Sequence, residues 1–273
     1  MKKFFVLAFL LALVASPGAA WNAEGHRTVA HVAEADLSDD AKEEIRIILQ
    51  EHPYDEVRSL ADSAVWPDVV RTNPAYHRAN WHYTNIPFFD GIDERPVPSE
   101  TDILWAINRV TRDLKNERAT RRQKAIALSW AAHLIGDIHQ PLHATSRYSS
   151  DFPSGDRGGN SFQVKFGQRS VKLHGYWDSA GGLYWRGANS GRVRHIADDF
   201  REEMPRVEGE MAIVDPRAWA DESYQLARDV VYKDLNPGDV LSNDYVNKAR
   251  DTSKKRMTLA GYRLADFLNR VFE

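Results

Sequence analysis

The hydrophobic positions of this chain follow helical spacing over most of its length. Ser38 stands directly before the segment DDAKEEIRIILQ and is placed to cap a helix, with acidic residues in the first turn and aliphatic residues recurring behind them. A longer helical pattern runs from about Thr120 to about His139, and Pro141 prevents it from continuing. Further helices are predicted for residues 57–70, after Ser99–Asp102, for residues 216–235 and for residues 243–272.

Only one stretch alternates between apolar and polar residues with a period of two. SFQVKF and VKLHGYW, residues 161–166 and 171–177, are separated by GQRS, which predicts a β-hairpin. The segments on either side are rich in Gly, Ser, Asn and Asp and predict loops. The chain is therefore expected to be mainly α, a single-domain helical fold with one small β-hairpin.

The amino-terminal segment has a different pattern. Residues 4–15 are an unbroken apolar run behind Lys2 and Lys3, followed by Ser-Pro-Gly-Ala-Ala. This order is typical of a signal peptide cut after Ala20, and the run is shorter than the roughly 20 residues of a membrane span. We expect residues 1–20 to be a signal peptide, and the rest to be one exported domain, periplasmic or secreted, monomeric and not attached to a membrane.

Composition adds one constraint. Cleavage would leave 273 − 20 = 253 residues, and losing two lysines changes the formal charge from −3 to −3 − 2 = −5. The chain has no cysteine, although exported proteins usually have access to disulfides. Stability must therefore come from a packed core or from bound metal.

The strongest chemical pattern lies at the end of the predicted helix 120–139. His133 and Asp137 are four residues apart, so their side chains project from one helical face. Because Pro141 ends the helix, His143 can turn towards the same place. Histidine and carboxylate ligands suit zinc, which binds them at about 2.0 to 2.2 Å. A single pair of this kind is more often a hydrogen-bonded core pair.

Here the pattern is repeated. His174 and Asp178 have the same spacing at the end of the hairpin, and Trp66-Pro67-Asp68 and Trp81-His82-Tyr83 add another acid and imidazole. After cleavage, the amino nitrogen and carbonyl of Trp21 would form a five-membered chelate, with His26 folding back over a turn at Gly25. Five histidines have no ligand role in this scheme, although His139 is close enough to orient a ligand.

Together these motifs resemble the S1/P1 nuclease family of zinc-dependent, single-strand-specific nucleases, and suggest a bacterial member. The resemblance covers the whole mature chain. Its motifs are Trp21-x4-His26, Trp66-x-Asp68, His82-Tyr83, His133-x3-Asp137-x5-His143, Gly158-Gly159-Asn160 and His174-x3-Asp178.

The resemblance implies three zinc ions per chain. One ion would be bound by Asp68, His82, His133 and Asp137. A second would share Asp137 as a bridge and take the amino nitrogen and carbonyl of Trp21 with His26. The third, with a position open for water or substrate, would be bound by His143, His174 and Asp178. Three Zn²⁺ bring +6 and three aspartates −3, so the site would carry a surplus of about +3 for binding phosphate.

The resemblance also implies the reaction. Hydroxide formed at the paired zinc ions would attack phosphorus and hydrolyse single-stranded DNA and RNA to 5′-phosphorylated nucleotides, and a 3′-nucleotidase activity is expected too. Arg71 would support phosphate, Tyr83 would stack on a base and Asn160 would contact substrate. Asn85 stands where fungal members have an aspartate, and its amide can hold a water but cannot act as a general base.

Two alternatives remain open at this point. One is a zinc-dependent phospholipase C-like phosphodiesterase, although that group has a longer spacer after the Trp and a Glu where Asp178 stands. The other is a non-catalytic periplasmic zinc-binding protein. For the substrate residues, an exposed helical Arg71, a core Tyr83 and a loop-shaping Asn160 are the alternatives to a role in binding.

Overall fold

The computed structural model describes residues 21–90 and 99–273, so the predicted signal peptide lies outside the described residues. The helices are α1 (Ala23–Glu34), α2 (Asp39–Gln50), α3 (Leu60–Val69), α4 (Ile103–Lys115), α5 (Arg121–Ile138), α6 (Leu173–Asp178), α7 (Ser190–Glu203), α8 (Glu208–Met211), α9 (Pro216–Leu226) and α10 (Asn243–Phe272). Strands β1 (Ile86–Phe89) and β2 (Thr145–Tyr148) pair in parallel, and β3 (Gln163–Phe166) and β4 (Arg169–Lys172) pair antiparallel. The mainly α fold class is confirmed.

Most of the predicted helices form close to the predicted bounds. A capping box between Thr120 and Gln123 begins α5, and Pro141 follows its end as expected. Helix α10 has the predicted bounds. Helix α3 is shorter than residues 57–70, because the Ser59 side chain accepts from the backbone N–H of Asp62 and so fixes a later start. A π-helical turn, Ala227–Val231, follows α9.

The prediction for the second strand of the hairpin was wrong beyond Lys172. Residues 173–178 form α6 instead, which puts His174 and Asp178 on one helical face. The neighbouring residues Tyr176 and Trp177 are both buried, whereas a strand with one solvated face would expose one of them. Tertiary burial therefore overrides the local alternation.

Besides α6, the helices α1 and α7 and the short α8 were not predicted. Helix α1 begins after Asn22, whose side chain accepts from the Gly25 N–H, so Gly25 lies inside a helix and not at a turn. A Cβ on Gly25 would be 2.8 Å from the Trp21 Cβ, and the glycine therefore serves close packing. Helix α7 begins inside the segment predicted as a loop, with Asn189 as its cap.

Helix α5 is the centre of the main hydrophobic core. It packs against α2, α3, α4 and α10, and it is buried on nearly all of its faces after its first turn. Helices α1 and α3 pack on each other beside it, and the short α6 belongs to a second core cluster with the C-terminal part of the chain. Among the described residues, no helix is long and apolar enough to span a membrane.

Candidate metal centre

Asp137 lies among histidines from three parts of the chain. It and His133 project from one face of α5, as predicted, and both are fully buried. His82 Nδ1 lies 3.0 Å and His133 Nε2 3.2 Å from Asp137 Oδ2. From α1, His26 brings its Nε2 within 3.2 Å of Asp137 Oδ1. The two carboxylate oxygens therefore face different histidines, as the predicted bridge requires.

The spacing of these atoms is that of ligands around one ion. His133 Nε2 and His82 Nδ1 are 2.9 Å apart, and each is close to the same oxygen of Asp137. Ligand atoms at about 2.0 to 2.1 Å from a tetrahedral zinc lie about 3.3 Å from one another. Three such trios have ligand atoms within 4.8 Å of one another: His82, His133 and Asp137; His26, Asp68 and His133; and His143, His174 and Asp178.

Helix α3 contributes Asp68 and places Arg71 beside it. Asp68 Oδ1 lies 3.8 Å from His133 Nε2, and its carboxylate is also within reach of His26. It is therefore a neighbour of both ions predicted around Asp137. Arg71 Nε is 3.5 Å from Asp68 Oδ1, and the Arg71 side chain is about one quarter exposed, at 28%.

The third group is assembled by the turn after α5 and by α6. His174 Nε2 lies 3.5 Å from Asp178 Oδ2, and the rings of His143 and His174 are 5.0 Å apart. His143 Nδ1 is 4.0 Å from Asp137 Oδ2, so this group adjoins the first. The Gln140 amide donates to Asp178 Oδ1 at 2.7 Å and holds that carboxylate in place.

Backbone carbonyls fix the orientation of three of the rings. The Nδ1 atoms of His133, His143 and His174 lie 2.8, 2.5 and 2.6 Å from the carbonyl oxygens of Ala64, His82 and Gly158 respectively. A carbonyl only accepts, so each Nδ1 carries the proton and each Nε2 keeps a lone pair. This is the usual arrangement of a histidine that ligates a metal through Nε2.

Trp21 is anchored by contacts with α5 and α6. Its side chain is buried, and its indole Nε1–H donates to the Gly136 carbonyl of α5 at 3.0 Å. The next residue, Asn22, donates its N–H to the Asp178 carbonyl at 2.9 Å. The start of the predicted mature chain is thereby held between α5 and α6, beside the predicted ligands.

Several polar atoms of the centre are buried with no hydrogen-bond partner among the described residues. They are both ring nitrogens of His26, one carboxylate oxygen each of Asp68 and Asp137, and Nε2 of His143. A buried polar atom without a partner costs about 1 to 3 kcal/mol. All of them belong to imidazole or carboxylate groups, which are the ligands zinc takes, and a bound cation would remove this cost. The residues therefore fit a zinc centre.

The pKa shifts of His26 and His174 agree with this fit, whereas the pKa of His133 is raised, because the carboxylates of Asp137 and Asp68 outweigh the effect of burial. Burial lowers the pKa of His26 to about 4, and burial with the neighbouring His143 lowers that of His174 to about 3, so both rings are neutral and can offer lone pairs. Burial and the carboxylates of Asp137 and Asp68 raise the pKa of Asp178 well above its ordinary value. A divalent cation would reverse that shift and hold the carboxylate ionised.

Comparison with known proteins assigns the family. The sequence model described as S1/P1 Nuclease matches residues 21–273. The chain belongs to the S1/P1 nuclease family. The predicted resemblance is confirmed, and the chain is a member of a family of nucleases, which are hydrolases.

Named relatives span nearly all of the family domain. Endonuclease 2 of Arabidopsis thaliana is 29% identical over 274 residues, covering 92% of this chain and 90% of that protein. Nuclease S1 of Aspergillus oryzae is 26% identical over 282 residues, covering 92% and 91%. Among solved structures, Alpha Toxin from Clostridium absonum aligns with a TM-score of 0.42 at 17% identity, covering 93% of this chain and 65% of the toxin, less than two thirds of its length.

The residues predicted from the family to contact substrate differ in their exposure and in their contacts. Tyr83 follows His82 directly and is exposed, at 37%, and Asn85 is exposed just before β1. Arg71 contacts Asp68, and its positive charge is near enough to the third group to lower the pKa values of His174 and Asp178. Asn160 donates its side-chain amide to the Arg157 carbonyl at 3.1 Å, a contact within its own loop.

One expectation for the family site is wrong, and some supporting groups had no sequence signal. His139 does not orient a ligand, because its Nδ1 donates to the Ile135 carbonyl and its Nε2 accepts from Arg263 at 2.9 Å. The supporting role of the Ala64 carbonyl has no signal in the sequence, whereas Gly158 belongs to the predicted Gly158-Gly159-Asn160 motif. Gln140 could have been found, since it stands between two predicted ligands in the segment Asp137–His143.

Proposed function

We propose that this chain is a trinuclear zinc phosphodiesterase of the S1/P1 family that hydrolyses single-stranded DNA and RNA to 5′-phosphorylated nucleotides and also removes the phosphate of 3′-nucleotides. We propose that residues 1–20 are removed as a signal peptide, that the enzyme is exported to the periplasm or secreted, and that it acts as a monomer. The strongest support is the convergence of buried, otherwise unpaired histidine and aspartate atoms around Asp137 and Asp178.

The proposed ligands follow the assignment that the family resemblance implies, in which Asp68 joins His82 and His133, although Asp68 also lies within reach of His26. Asp68, His82, His133 and Asp137 would hold one ion, Trp21, His26 and Asp137 a second, and His143, His174 and Asp178 the third. When bound, zinc supplies a Lewis acid for the phosphoryl oxygens and lowers the pKa of water towards neutrality. Only three protein ligands are proposed for the third ion, and an open position of this kind is typical of catalytic sites and not of structural ones.

The protein's own groups would bind and orient the substrate. The Arg71 guanidinium lies beside Asp68, near enough to the third group for its charge to act on Asp178, and would donate to a phosphate oxygen of the scissile linkage. Tyr83 offers an exposed ring for a base to stack on, a contact worth about 1 to 3 kcal/mol that does not depend on the base. The Asn85 amide can hold a water or a base edge by hydrogen bonds but cannot accept a proton from it.

The test is a nuclease assay on zinc-loaded protein that begins at Trp21. We expect cleavage of denatured DNA and RNA with 5′-phosphate ends, release of phosphate from 3′-AMP, and loss of all three activities on chelation. His174→Ala should abolish them, whereas His195→Ala should not, because His195 is exposed on α7. Zinc binding without any of these activities would replace the proposal with a storage role. Hydrolysis of phosphatidylcholine with denatured DNA left intact would replace it with a phospholipase C-like role.

A further inference from the structure

Asp156 is a fully buried carboxylate that is not among the proposed metal ligands. It lies in the loop between β2 and β3, and its side chain accepts three hydrogen bonds. Its Oδ1 accepts from the backbone N–H of Arg147 at 2.9 Å. Its Oδ2 accepts from the backbone N–H of Gly159 at 3.0 Å and from the Tyr232 hydroxyl at 2.6 Å. A carboxylate is acceptor-only, so it satisfies all three donors without conflict.

The bond to Gly159 reaches a proposed zinc ligand through a single peptide group. The N–H of Gly159 and the C=O of Gly158 belong to the same planar peptide unit and point in opposite directions. On its far side, the Gly158 carbonyl accepts from His174 Nδ1 at 2.6 Å. The backbone N–H of His174 in turn donates to the Gly159 carbonyl at 3.2 Å. Asp156, one peptide plane and the His174 ring thus form a continuous chain of hydrogen bonds.

The residues on both sides of that peptide have an unusual backbone conformation with positive φ. Gly158 and Gly159 have φ values of 59° and 80°, and the residue before them, Arg157, also has a positive φ of 59°. A Cβ on Gly158 would collide with the Leu142 carbonyl oxygen. The loop therefore needs glycine at this point, and because glycine restricts its own backbone less than other residues do, the Asp156 bond to Gly159 helps to hold the Gly158 carbonyl towards His174.

We propose that Asp156 is a positioning residue that orients and polarises His174 through the Gly158–Gly159 peptide. The inference rests on the proposed function, since His174 is assigned there to the third zinc ion. A carboxylate hydrogen-bonded to the outer nitrogen of a ligating histidine fixes its ring and raises its basicity. Here the same effect is relayed by a peptide dipole, because each hydrogen bond in the chain strengthens the next.

Two near-isosteric variants separate this role from general stabilisation. In Asp156→Asn the amide keeps the Arg147 bond through its oxygen and can donate to the Tyr232 oxygen, but its NH₂ then faces the Gly159 N–H and that bond is lost. The opposite orientation would keep the Gly159 bond, but with a neutral amide oxygen as acceptor in place of a carboxylate, so the polarisation of the peptide falls in either orientation. Tyr232→Phe is the matched control, because it also removes one hydrogen bond from Asp156 but leaves the Gly159 anchor intact.

Two measurements are made on both variants and on the wild type. Zinc affinity is measured by competition with a chromophoric chelator, and the exchange rate and tautomer of His174 are measured by NMR of ¹⁵N-histidine-labelled, zinc-free protein. For Asp156→Asn we expect the affinity for one of the three ions to fall on the order of tenfold and the His174 Nδ1–H to exchange faster. For Tyr232→Phe we expect less than a threefold change in that affinity and unchanged exchange, at a comparable loss of thermal stability.

The outcomes distinguish this inference from the proposed function. Equal effects of both variants on zinc affinity and on His174 exchange, or no effect of either, would reduce Asp156 to a structural residue and overturn the inference. A wild-type chain that binds no third ion would overturn the proposed function. In that case the exchange of His174 in the zinc-free protein still decides whether Asp156 holds the ring.

Discussion

Gly136 on α5 provides a sharp test of how closely the centre is packed. A Cβ added at Gly136 would lie 2.9 Å from His26 Nδ1 and 3.2 Å from His26 Cε1. Ordinary contacts of a Cβ begin at about 3.4 Å, so the imidazole must move by roughly 0.5 Å. The ring has little room for this, because it is buried and stacks on His133 with centroids 4.0 Å apart. Metal–ligand distances tolerate only about 0.2 Å.

The expected effects of Gly136→Ala follow from opposing terms. Alanine in place of helical glycine gains about 1 kcal/mol of unfolding free energy. Overpacking of a filled core costs about 1 to 3 kcal/mol, so the zinc-free variant should be less stable by roughly 0 to 2 kcal/mol. Because the displaced group is a proposed ligand, zinc affinity at that position should fall about 10- to 100-fold.

Gly175→Ala is the matched control, since Gly175 is also helical and next to a proposed ligand, but a Cβ there would meet no atom within 4 Å. Denaturant unfolding of zinc-free protein and zinc competition titrations are the two assays. The control should keep its zinc affinity and lose no stability. If Gly136→Ala behaves like the control, with full zinc affinity and higher stability, then His26 is not packed closely against Gly136.

Three further predictions test the centre and the core around it. Asp137→Asn should release more than one zinc per chain because both carboxylate oxygens face ligand histidines, and metal analysis showing a loss of one or none would contradict the bridge. One extra residue before Trp21 should abolish most nuclease activity, its proteolytic removal should restore it, and full activity of the extended form would exclude a terminal ligand. Burial lowers the pKa of His52, so acid favours its protonation in the unfolded chain, and stability should fall as the pH drops below about 6.5. In chelator, His52→Gln should lose less stability than the wild type between about pH 7.5 and pH 5, and an equal loss would refute this assignment.

The long, capped helices were predictable because their information is local. Helix α10 and most of α5 carry caps and stops within the segment itself, such as Thr120 with Gln123 and Pro141 beyond the end. Because His133 and Asp137 share one such helix, their common face could be predicted as well. The part of the metal centre on α5, His133 and Asp137, can therefore be predicted from helical geometry alone.

Other elements depend on contacts that a local pattern does not contain. Strands β1 and β2 are only four residues each and are far apart in the chain, and β1 contains Pro87, so the pair has no local strand signal. In α1, the small residues that allow it to pack on its neighbours weaken the helical pattern, and Gly25 was therefore assigned to a turn. For α7, the cap Asn189 and the buried residues Val193, Ala197 and Phe200 were available as a signal, but the glycine-rich segment before them obscured it.

Three groups of histidine and aspartate side chains are proposed here to hold one zinc ion each. Anomalous scattering at the zinc absorption edge, from crystals of a chain beginning at Trp21, tests this most directly. We expect three peaks of anomalous difference density, each within about 2.0 to 2.2 Å of its ligand atoms. Two of the peaks should share Asp137, and the third should be bounded by His143, His174 and Asp178. Fewer than three peaks in zinc-saturated crystals, or peaks coordinated by other residues, would contradict it.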